Sequence, residues 1–258
     1  MTTPLSFSPL RIVDIQMENE RARSLIFDRP LIHAQPGQYL MAWLPEIGEK
    51  PFSIAGNDPL KITVVAVGPV SQALCQLKIG ERVWVRGPLG SGYQPCGRKH
   101  LLVGGGYGTA PLFYLAQILL ARGEEVQVCL GARSQADLML ASAFESTGCR
   151  TWVTTDDGSA GEKGLVIQAV QSAIETFSPD TVYACGPVPM LVAAARLCED
   201  MSVNCQLSWE ALIRCGMGLC GSCELDPEIG QQTGVPQGWL TCKDGPVFQK
   251  IHHIPPSS

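Results

Sequence analysis

Short runs of alternating hydrophobic and polar residues dominate the first third of the chain. They predict β-strands at residues 9–15, 22–27, 38–43, 60–67 and 82–86, and one helix at residues 71–77. Gly, Pro and Asn cluster between these runs, as is typical of tight turns. Short strands at regular spacing predict a closed antiparallel β-barrel over residues 1–97.

The hydrophobic pattern changes after about residue 98. Compact apolar stretches predict strands at residues 100–103, 125–130, 151–155 and 181–185, and longer periodic stretches predict helices at residues 110–121, 164–176 and 188–199. Strands that alternate with helices predict a parallel α/β domain over residues 98–206. Residues 207–258 then form a third, small domain. The predicted fold class is therefore multi-domain, β plus α/β.

The C-terminal domain carries the most specific chemical signal. Cys215, Cys220 and Cys223 follow one another with four and two residues between them, and Cys242 lies further on. This is the plant-type spacing of a [2Fe–2S] cluster, and the interspersed glycines allow the tight loop that such a cluster needs. A structural zinc site and a group of buried free thiols are the alternatives. Zinc sites usually show two separate C-x2-C pairs, and this chain has one.

A glycine-rich turn lies between the strand at residues 100–103 and the helix at residues 110–121. In this position Gly105, Gly106, Gly108 and Thr109 predict a nucleotide site, because backbone N–H groups and a helix N-terminus can meet a pyrophosphate. Three consecutive glycines depart from the standard G-x-G-x-x-G pattern, and a plain tight turn is the alternative.

Two further loops follow predicted parallel strands, at residues 156–161 and 186–190. Ligands bind outside the carboxyl ends of such strands, so both loops are expected near the nucleotide. An ordinary solvated turn is an equally good interpretation of the first loop, which contains Asp157.

Two patches in the barrel region are candidates for binding, and the first could set a cation beside a phosphate and a ring or hydroxyl beside a flat heterocycle. Lys50, Pro51, Phe52 and Ser53 place a cation, a ring and a hydroxyl along one extended segment, and residues 87–93 form a glycine-rich turn after a strand. On its own, each patch fits an exposed strand end or an ordinary turn better.

Composition and charge limit the range of functions. The 258 residues carry a net charge of −5 without a long basic run, which argues against nucleic acid. The apolar stretches are short, so no membrane span is expected, and the first residues do not resemble a signal peptide. Eleven cysteines without a regular pairing pattern indicate a reducing compartment, here the cytoplasm.

Taken together, these segments resemble the ferredoxin–NADP reductase superfamily. Within it, the chain is similar to the electron-transfer subunit of the NAD-dependent dihydroorotate dehydrogenase of bacteria and archaea. The most specific matches are Glu210 to Cys223, Cys242 to Phe248, and Thr155 to Ser159. The resemblance covers nearly the whole chain.

The resemblance implies roles for individual residues. It places Lys50 to Ser53 at the FAD and Cys185, Gly186 and Pro187 near the nicotinamide ring, with Cys185 as the catalytic residue. The remaining residues that it assigns to the flavin are Gly68, Ser71, Gly87, Gly90, Gly92 and Tyr93. The chain departs from the family pattern in having Lys50 where Arg is commoner, and in Gly68-Pro-Val-Ser71 where Gly-x-Gly-Thr is frequent.

The resemblance also implies a function. By that resemblance, FAD, a [2Fe–2S] cluster and NAD(H) pass electrons to or from an FMN-containing catalytic subunit in the oxidation of dihydroorotate to orotate for pyrimidine (UMP) biosynthesis. The assembly that it implies is a heterotetramer with two copies of each chain. Two alternatives stay open: the flavin subunit of a sulfhydrogenase or an NADPH:ferredoxin oxidoreductase, and a regulatory nucleotide-binding module with structural zinc. Residues 131–133 do not decide between NAD and NADP.

Overall fold

The computed structural model describes residues 6–250, and its first part is a six-stranded antiparallel barrel. The strands follow the order β1-β2-β5-β4-β3-β6 around the barrel. Their bounds are β1 Ser8–Met17, β2 Ala22–Phe27, β3 Tyr39–Leu44, β4 Gly48–Asn57, β5 Leu60–Val65 and β6 Arg82–Leu89. The predicted barrel is therefore confirmed. The first residues of the chain, from which the lack of a signal peptide was inferred, lie outside the described residues.

Alternation of buried and exposed side chains explains why these segments form strands. In β5, Leu60, Ile62 and Val64 are fully buried, whereas their neighbours are half-exposed. The one helix of the barrel, α1 (Pro69–Gln76), begins two residues earlier than predicted. The Ser71 hydroxyl accepts the backbone N–H groups of Val67 and Gly68 and so closes the turn that starts the helix.

The second part is a seven-stranded sheet with helices on both faces. Its order is β10-β9-β8-β7-β11-β12-β13, parallel except for β13 at one edge. The strands are β7 Lys99–Gly105, β8 Glu125–Ala132, β9 Arg150–Thr155, β10 Glu162–Lys163, β11 Thr181–Cys185, β12 Asn204–Ser208 and β13 Val247–Lys250. The helices are α2 Thr109–Ala121, α3 Ala141–Ser146, α4 Val166–Phe177, α5 Val188–Asp200 and α6 Pro227–Thr233. The predicted parallel α/β domain is confirmed.

The two faces of the sheet bury separate apolar cores. Side chains of α4 and α5 pack with β7, β11 and β12 on one face, and side chains of α2 and α3 pack on the other. Helix α2 also joins the sheet to the barrel, because the Tyr114 hydroxyl donates to the carbonyl oxygen of Ala34 at 3.2 Å. Among the described residues, no helix is long and apolar enough to cross a membrane.

The cysteine-rich part of the chain, residues 209–246, leaves the sheet and returns to it. We call it the cluster segment. It begins where β12 ends at Ser208, and it ends where β13 begins at Val247, and these two residues are paired in the sheet. Strands β12 and β13 were not predicted, and β12 crosses the predicted domain boundary at residues 206 and 207. None of the eleven cysteines forms a disulfide.

Candidate functional site

A cavity of about 510 Å³ lies where the barrel, the sheet and the cluster segment meet. Strand β4 and the start of α1 form one wall, and the turn before α2, the end of β11 and the start of the cluster segment form the other. The predicted site residues that line it are Lys50, Pro51, Phe52, Ser53, Gly68, Ser71, Gly108, Cys185 and Gly186. The fold thus gathers residues from three regions that are far apart in the chain.

The barrel wall offers the groups that a flavin dinucleotide requires. Lys50 and Ser53 are exposed on β4, and Phe52 packs its ring partly against the barrel core. The start of α1 opens on the same cavity at Gly68 and Ser71. A lysine ammonium and the N–H groups of a helix start both favour phosphate oxygens, so these residues fit FAD.

Glycine is needed in the β7–α2 turn for different reasons at different positions. A Cβ at Gly105 would lie 2.7 Å from Cδ of Pro187, and a Cβ at Gly108 would clash with the carbonyl oxygen of Cys185. Both glycines therefore allow the turn to pack tightly against the loop after β11. Gly106 has a φ of +54°, and a Cβ there would meet nothing within 4 Å. Its backbone is open to a ligand.

Thr109 completes this turn from inside the protein. It is buried, and its hydroxyl donates to the carbonyl oxygen of Gly106 at 2.7 Å. The hydroxyl therefore fixes the turn and does not line the cavity. Pro187 is likewise outside the cavity lining, where its ring packs against Gly105.

Cys185 lies at the end of β11 and lines the cavity. Burial raises the pKa of its thiol to about 12, although a hydrogen bond with Ser208 opposes that shift. The thiol is therefore neutral at pH 7. A neutral thiol suits contact with a flat ring better than nucleophilic attack, since the thiolate is the nucleophile.

The glycine-rich stretch of residues 87–93 begins inside β6. Gly87, Gly90, Gly92 and Tyr93 do not line the cavity. Gly90 packs against Gly245, and a Cβ at Gly92 would lie 2.6 Å from the carbonyl oxygen of Pro36. Tyr93 is buried and donates to the carbonyl oxygen of Ala184 at 3.3 Å. These residues hold barrel, sheet and cluster segment together, and their flavin contact stays a prediction.

Asp157 follows β9 at the carboxyl edge of the sheet, also outside the cavity lining. Its carboxylate accepts the hydroxyl and the backbone N–H of Ser159 at 2.6 and 2.9 Å, which lowers its pKa. Ser159 in turn accepts the N–H of Gln135 at 2.7 Å. The loop is therefore fixed to the turn after β8, and the nucleotide contact of Asp157 remains a prediction.

The four cysteines of the predicted cluster lie together in the cluster segment. Cys223 and Cys242 are almost fully buried, Cys215 is half-buried, and Cys220 is exposed. Cys220 lowers the pKa of Cys215, and Cys223 raises the pKa of Cys242, so these thiols are close enough to influence one another.

Backbone N–H groups surround these sulfur atoms. The N–H of Gly218 donates to Sγ of Cys242 at 3.2 Å. The N–H of Met217, with smaller contributions from its neighbours, lowers the pKa of Cys215 to about 6. Hydrogen bonds from Ser222 lower the pKa of Cys220, whereas burial raises that of Cys242 to about 12. Such N–H groups stabilise negatively charged sulfur, as a cluster requires.

Four thiols with backbone N–H donors beside them are a suitable ligand set for a [2Fe–2S] cluster. Each iron of a [2Fe–2S] cluster takes two thiolates, whereas a structural zinc gathers four around one point. The donor set therefore fits the predicted cluster.

Tyr39, which sequence reasoning missed, connects the cavity to these cysteines. Its ring lines the cavity from β3, and its hydroxyl donates to the carbonyl oxygen of Cys242 at 2.9 Å and lies 3.4 Å from that of Gly216. Tyr39 also packs with Ile213 and Cys223 in one apolar group. Tyr39 therefore contacts both the cavity and the backbone of a cluster ligand. No sequence signal marks this contact, because its partners are 177 and 203 positions away.

Glu210 and Tyr107 also line the cavity, and neither was predicted as a site residue. The Glu210 carboxylate is the main reason that the pKa of Tyr107 is raised, so the two groups face one another. They place one negative charge and one hydroxyl beside Cys185, whose pKa Glu210 also raises.

Comparison with known proteins agrees with this arrangement. Residues 210–251 match the iron–sulfur cluster binding domain of dihydroorotate dehydrogenase B, and residues 102–196 match the oxidoreductase NAD-binding domain. The first match spans all four cysteines. The second contains the β7–α2 turn and Cys185.

Whole-chain relatives cover both regions. The chain is 43% identical to a probable dihydroorotate dehydrogenase B (NAD(+)) electron transfer subunit of Thermococcus kodakarensis, over 84% of this chain and 86% of that protein. It is 36% identical to the protein of the same name in Methanopyrus kandleri, over 93% and 89%. A structure of an NADH-dependent reduced ferredoxin–NADP oxidoreductase is similar with a TM-score of 0.79 and 28% identity, over 93% of this chain and 87% of that one. The chain therefore belongs to the family of electron-transfer subunits of NAD-dependent dihydroorotate dehydrogenase B.

Proposed function

We propose that the chain carries electrons between NAD(H) and a partner chain that oxidises dihydroorotate to orotate. One observation carries this proposal: Tyr39 lines the cavity and hydrogen-bonds to the backbone of a cluster ligand. When bound, FAD exchanges a hydride with the nicotinamide and single electrons with the [2Fe–2S] cluster. A short path between the two sites is what such a chain requires.

Each predicted domain has one task in this proposal. Residues 1–97 bind FAD, with Lys50 at its pyrophosphate and Ser53 at its ring. Residues 98–206 bind the nicotinamide dinucleotide, with the open backbone of Gly106 at its pyrophosphate. Residues 207–258 hold the cluster through the four cysteines.

Residues at the meeting point of the domains position the reacting rings. Cys185 presents a neutral thiol to the cavity, because burial raises its pKa to about 12. The negative charge of Glu210 lies near that thiol and near Tyr107. The names of the relatives specify NAD(+), so we propose NAD(H) as the nucleotide.

The partner, in this proposal, is an FMN-containing catalytic chain, with two copies of each chain in the assembly. Apolar side chains around the cysteines support a docking surface, since Met217, Leu219 and Leu212 are 39%, 80% and 52% exposed. Exposed apolar patches of this kind mark interaction sites. Free thiols throughout the chain support a location in the cytoplasm.

The test uses the purified chain with and without the catalytic chain. Alone, the chain is expected to reduce an artificial dye with NADH and to leave dihydroorotate unchanged. With the catalytic chain added, dihydroorotate should reduce NAD. Catalytic-chain activity with NAD in the absence of this chain would contradict the proposal.

Met217→Asp should weaken this coupling while dye reduction persists, because it places a charge in the docking surface. Ile79→Asp is the matched control. Ile79 is 62% exposed, and it follows α1 in the barrel, outside the cluster segment. Equal loss of coupling in both variants would remove Met217 from the interface.

A second candidate function follows from the structural comparison. The similar structure is described as an NADH-dependent reduced ferredoxin–NADP oxidoreductase that performs flavin-based electron bifurcation. Its TM-score of 0.79 over 93% of this chain favours a reductase subunit as the alternative. Coupling to ferredoxin through a different partner chain, without coupling to dihydroorotate, would select this alternative.

A further inference from the structure

Arg86 is a buried cation beside the cluster segment, and it has no part in the proposed function described above. It lies on β6, and only 4% of it is exposed. Its Nε donates to Oε1 of Glu49 at 2.6 Å, and its Nη2 donates to the carbonyl oxygen of Cys215 at 2.8 Å. The ring of Phe7 covers the guanidinium with 5.6 Å between the ring centroid and Cζ. Arg86 therefore joins the barrel directly to the first cluster ligand.

The contacts of Arg86 do not satisfy its guanidinium completely. Nη1 is buried without a hydrogen-bond partner among the described residues. Both Nη atoms face the backbone of Gly216, since a Cβ built there would lie 3.3 Å from each of them. Burying an incompletely paired charge is unfavourable. The buried guanidinium of Arg86 is therefore expected to have a role other than stabilising the fold.

The two members of the ion pair are placed unequally. The Glu49 side chain is 26% exposed, whereas that of Arg86 is 4% exposed. Only Arg86 contacts the backbone of the cluster segment. Solvent therefore screens the carboxylate more than the guanidinium, and the cluster ligands experience a net positive potential from the pair.

We propose that Arg86 is a positioning residue that raises the reduction potential of the cluster. This inference rests on the proposed function, in which the cluster accepts one electron from the flavin. That electron adds one negative charge close to Cys215. A guanidinium stays protonated in both states, so it stabilises the reduced state more than the oxidised one without exchanging a proton.

The hydrogen bond to Cys215 adds a geometric part to this role. It fixes the carbonyl at the start of the cysteine run, while Tyr39 fixes the carbonyls of Gly216 and Cys242. The barrel thus holds the backbone at both ends of the ligand set. Electron transfer benefits because the cluster stays at a fixed distance from the flavin site.

The test is a redox titration of the purified wild-type chain and its variants, followed by the electron paramagnetic resonance signal of the reduced cluster. Arg86→Gln should lower the equilibrium constant for cluster reduction about tenfold, which is about 59 mV for one electron. Arg86→Lys should restore most of the shift because it keeps the charge. Arg82→Gln is the control, since Arg82 is exposed on the same strand.

Glu49→Gln gives an independent test with the opposite sign. It removes the opposing negative charge and should raise the reduction potential while Arg86 stays in place. If Arg86→Gln fails to fold or to load iron, the reduction potential of Glu49→Gln alone tests the inference. A shift of both variants in the same direction, or no shift in a fully loaded Arg86→Gln, would overturn the inference. A wild-type chain without a [2Fe–2S] signal would instead overturn the proposed function.

Discussion

The cluster segment and the cavity are built in different ways. The cluster segment takes three of its four ligands from nine consecutive residues, and backbone N–H groups of the same loop surround the sulfur atoms. The cavity takes its walls from β4, α1, the β7–α2 turn, β11 and the start of the cluster segment. One site is local in the chain, and the other exists only after the domains have packed.

This difference determines what each site tolerates. Changes in the cluster segment act on the ligands themselves and should leave the barrel and sheet intact. Changes around the cavity act through shape and charge, and their effects should be graded. Substitutions of a cluster ligand, of the β7–α2 turn, of a charge in the cavity and of a scaffold residue should therefore have effects of different size.

The largest effect is expected from the buried ligand pair. Cys223→Ser or Cys242→Ser should remove nearly all iron and acid-labile sulfide, because a hydroxyl replaces a thiolate that a cluster needs. FAD should stay bound, since neither residue lines the cavity. Iron, sulfide and flavin analysis of anaerobically prepared protein checks this prediction. Cys75→Ser in the barrel is the control, and full iron content in either ligand variant would contradict the assignment.

The next effect concerns the open glycine of the β7–α2 turn. Gly106→Leu should raise the NADH concentration needed for flavin reduction at least about tenfold, because the side chain occupies space next to the pyrophosphate. Reduction by dithionite should be unchanged. Rapid-mixing measurements of flavin absorbance give both quantities.

Gly123→Leu is the matched control for that change. Gly123 also has a positive φ, +72°, and also has open space around its Cβ position, but it follows α2 at the far end of that helix. Both variants carry a similar backbone cost of about 1 kcal/mol. Equal loss of NADH reduction in the two variants would show that strain, and not the nucleotide site, is responsible.

A smaller effect is expected from the charge on the barrel wall. Lys50→Ala should weaken FAD binding about tenfold, since a charged hydrogen bond contributes about 1.5 kcal/mol at an exposed site. Equilibrium dialysis of FAD measures the change, and the cluster content should be unaffected. Lys78→Ala, another exposed lysine of the barrel, is the control. Unchanged FAD affinity in Lys50→Ala would place the phosphates elsewhere.

The smallest effect concerns the scaffold at the other end of the sheet. Buried His100 on β7 accepts or donates to the Tyr183 hydroxyl at 3.2 Å and lies 2.8 Å from Glu124. Burial lowers its pKa from 6.5, although Glu124 opposes the shift. The unfolded chain therefore binds the proton at higher pH than the folded one does. The contribution of His100 to the free energy of unfolding is complete above about pH 6.5. It is lost as the pH falls towards the lower pKa of His100 in the folded state.

Urea unfolding at about pH 7.5 and about pH 5.5 tests this effect. The free energy of unfolding should fall by at most about 1.4 kcal/mol per pH unit in that window because of His100. His100→Gln should show a weaker pH dependence. An equal pH dependence in the variant would assign the titration to other groups.

The contrast between local and long-range sites also explains which parts of the fold and of the site the sequence predicts. The cysteine spacing, the barrel strands and the glycine turn are local patterns, and the chain shows them directly. Strand β12 was missed because its Asn204, Gln206 and Ser208 are polar, although all three are buried in the structure. Gln206 is buried because its side chain bonds to the backbone of Gln94, far away in the chain.

Local sequence patterns cannot predict the contacts of Tyr39 and Arg86 with the cluster segment. Each joins a barrel strand to a carbonyl oxygen more than a hundred positions away. The glycines after β6 show the reverse problem. Their resemblance to a flavin turn stays a prediction, and in the structure they pack against the cluster segment and the loop before β3.

The pairing of Ser208 with Val247 has a consequence for how such a protein changes over time. Because the two ends of the cluster segment are neighbours in the sheet, the whole segment is an insertion at one site. A short turn between β12 and β13 could replace it without changing any strand pairing. The redox module therefore enters and leaves the scaffold at one point, while Trp209, Leu225 and Trp239 anchor it in the core of the sheet.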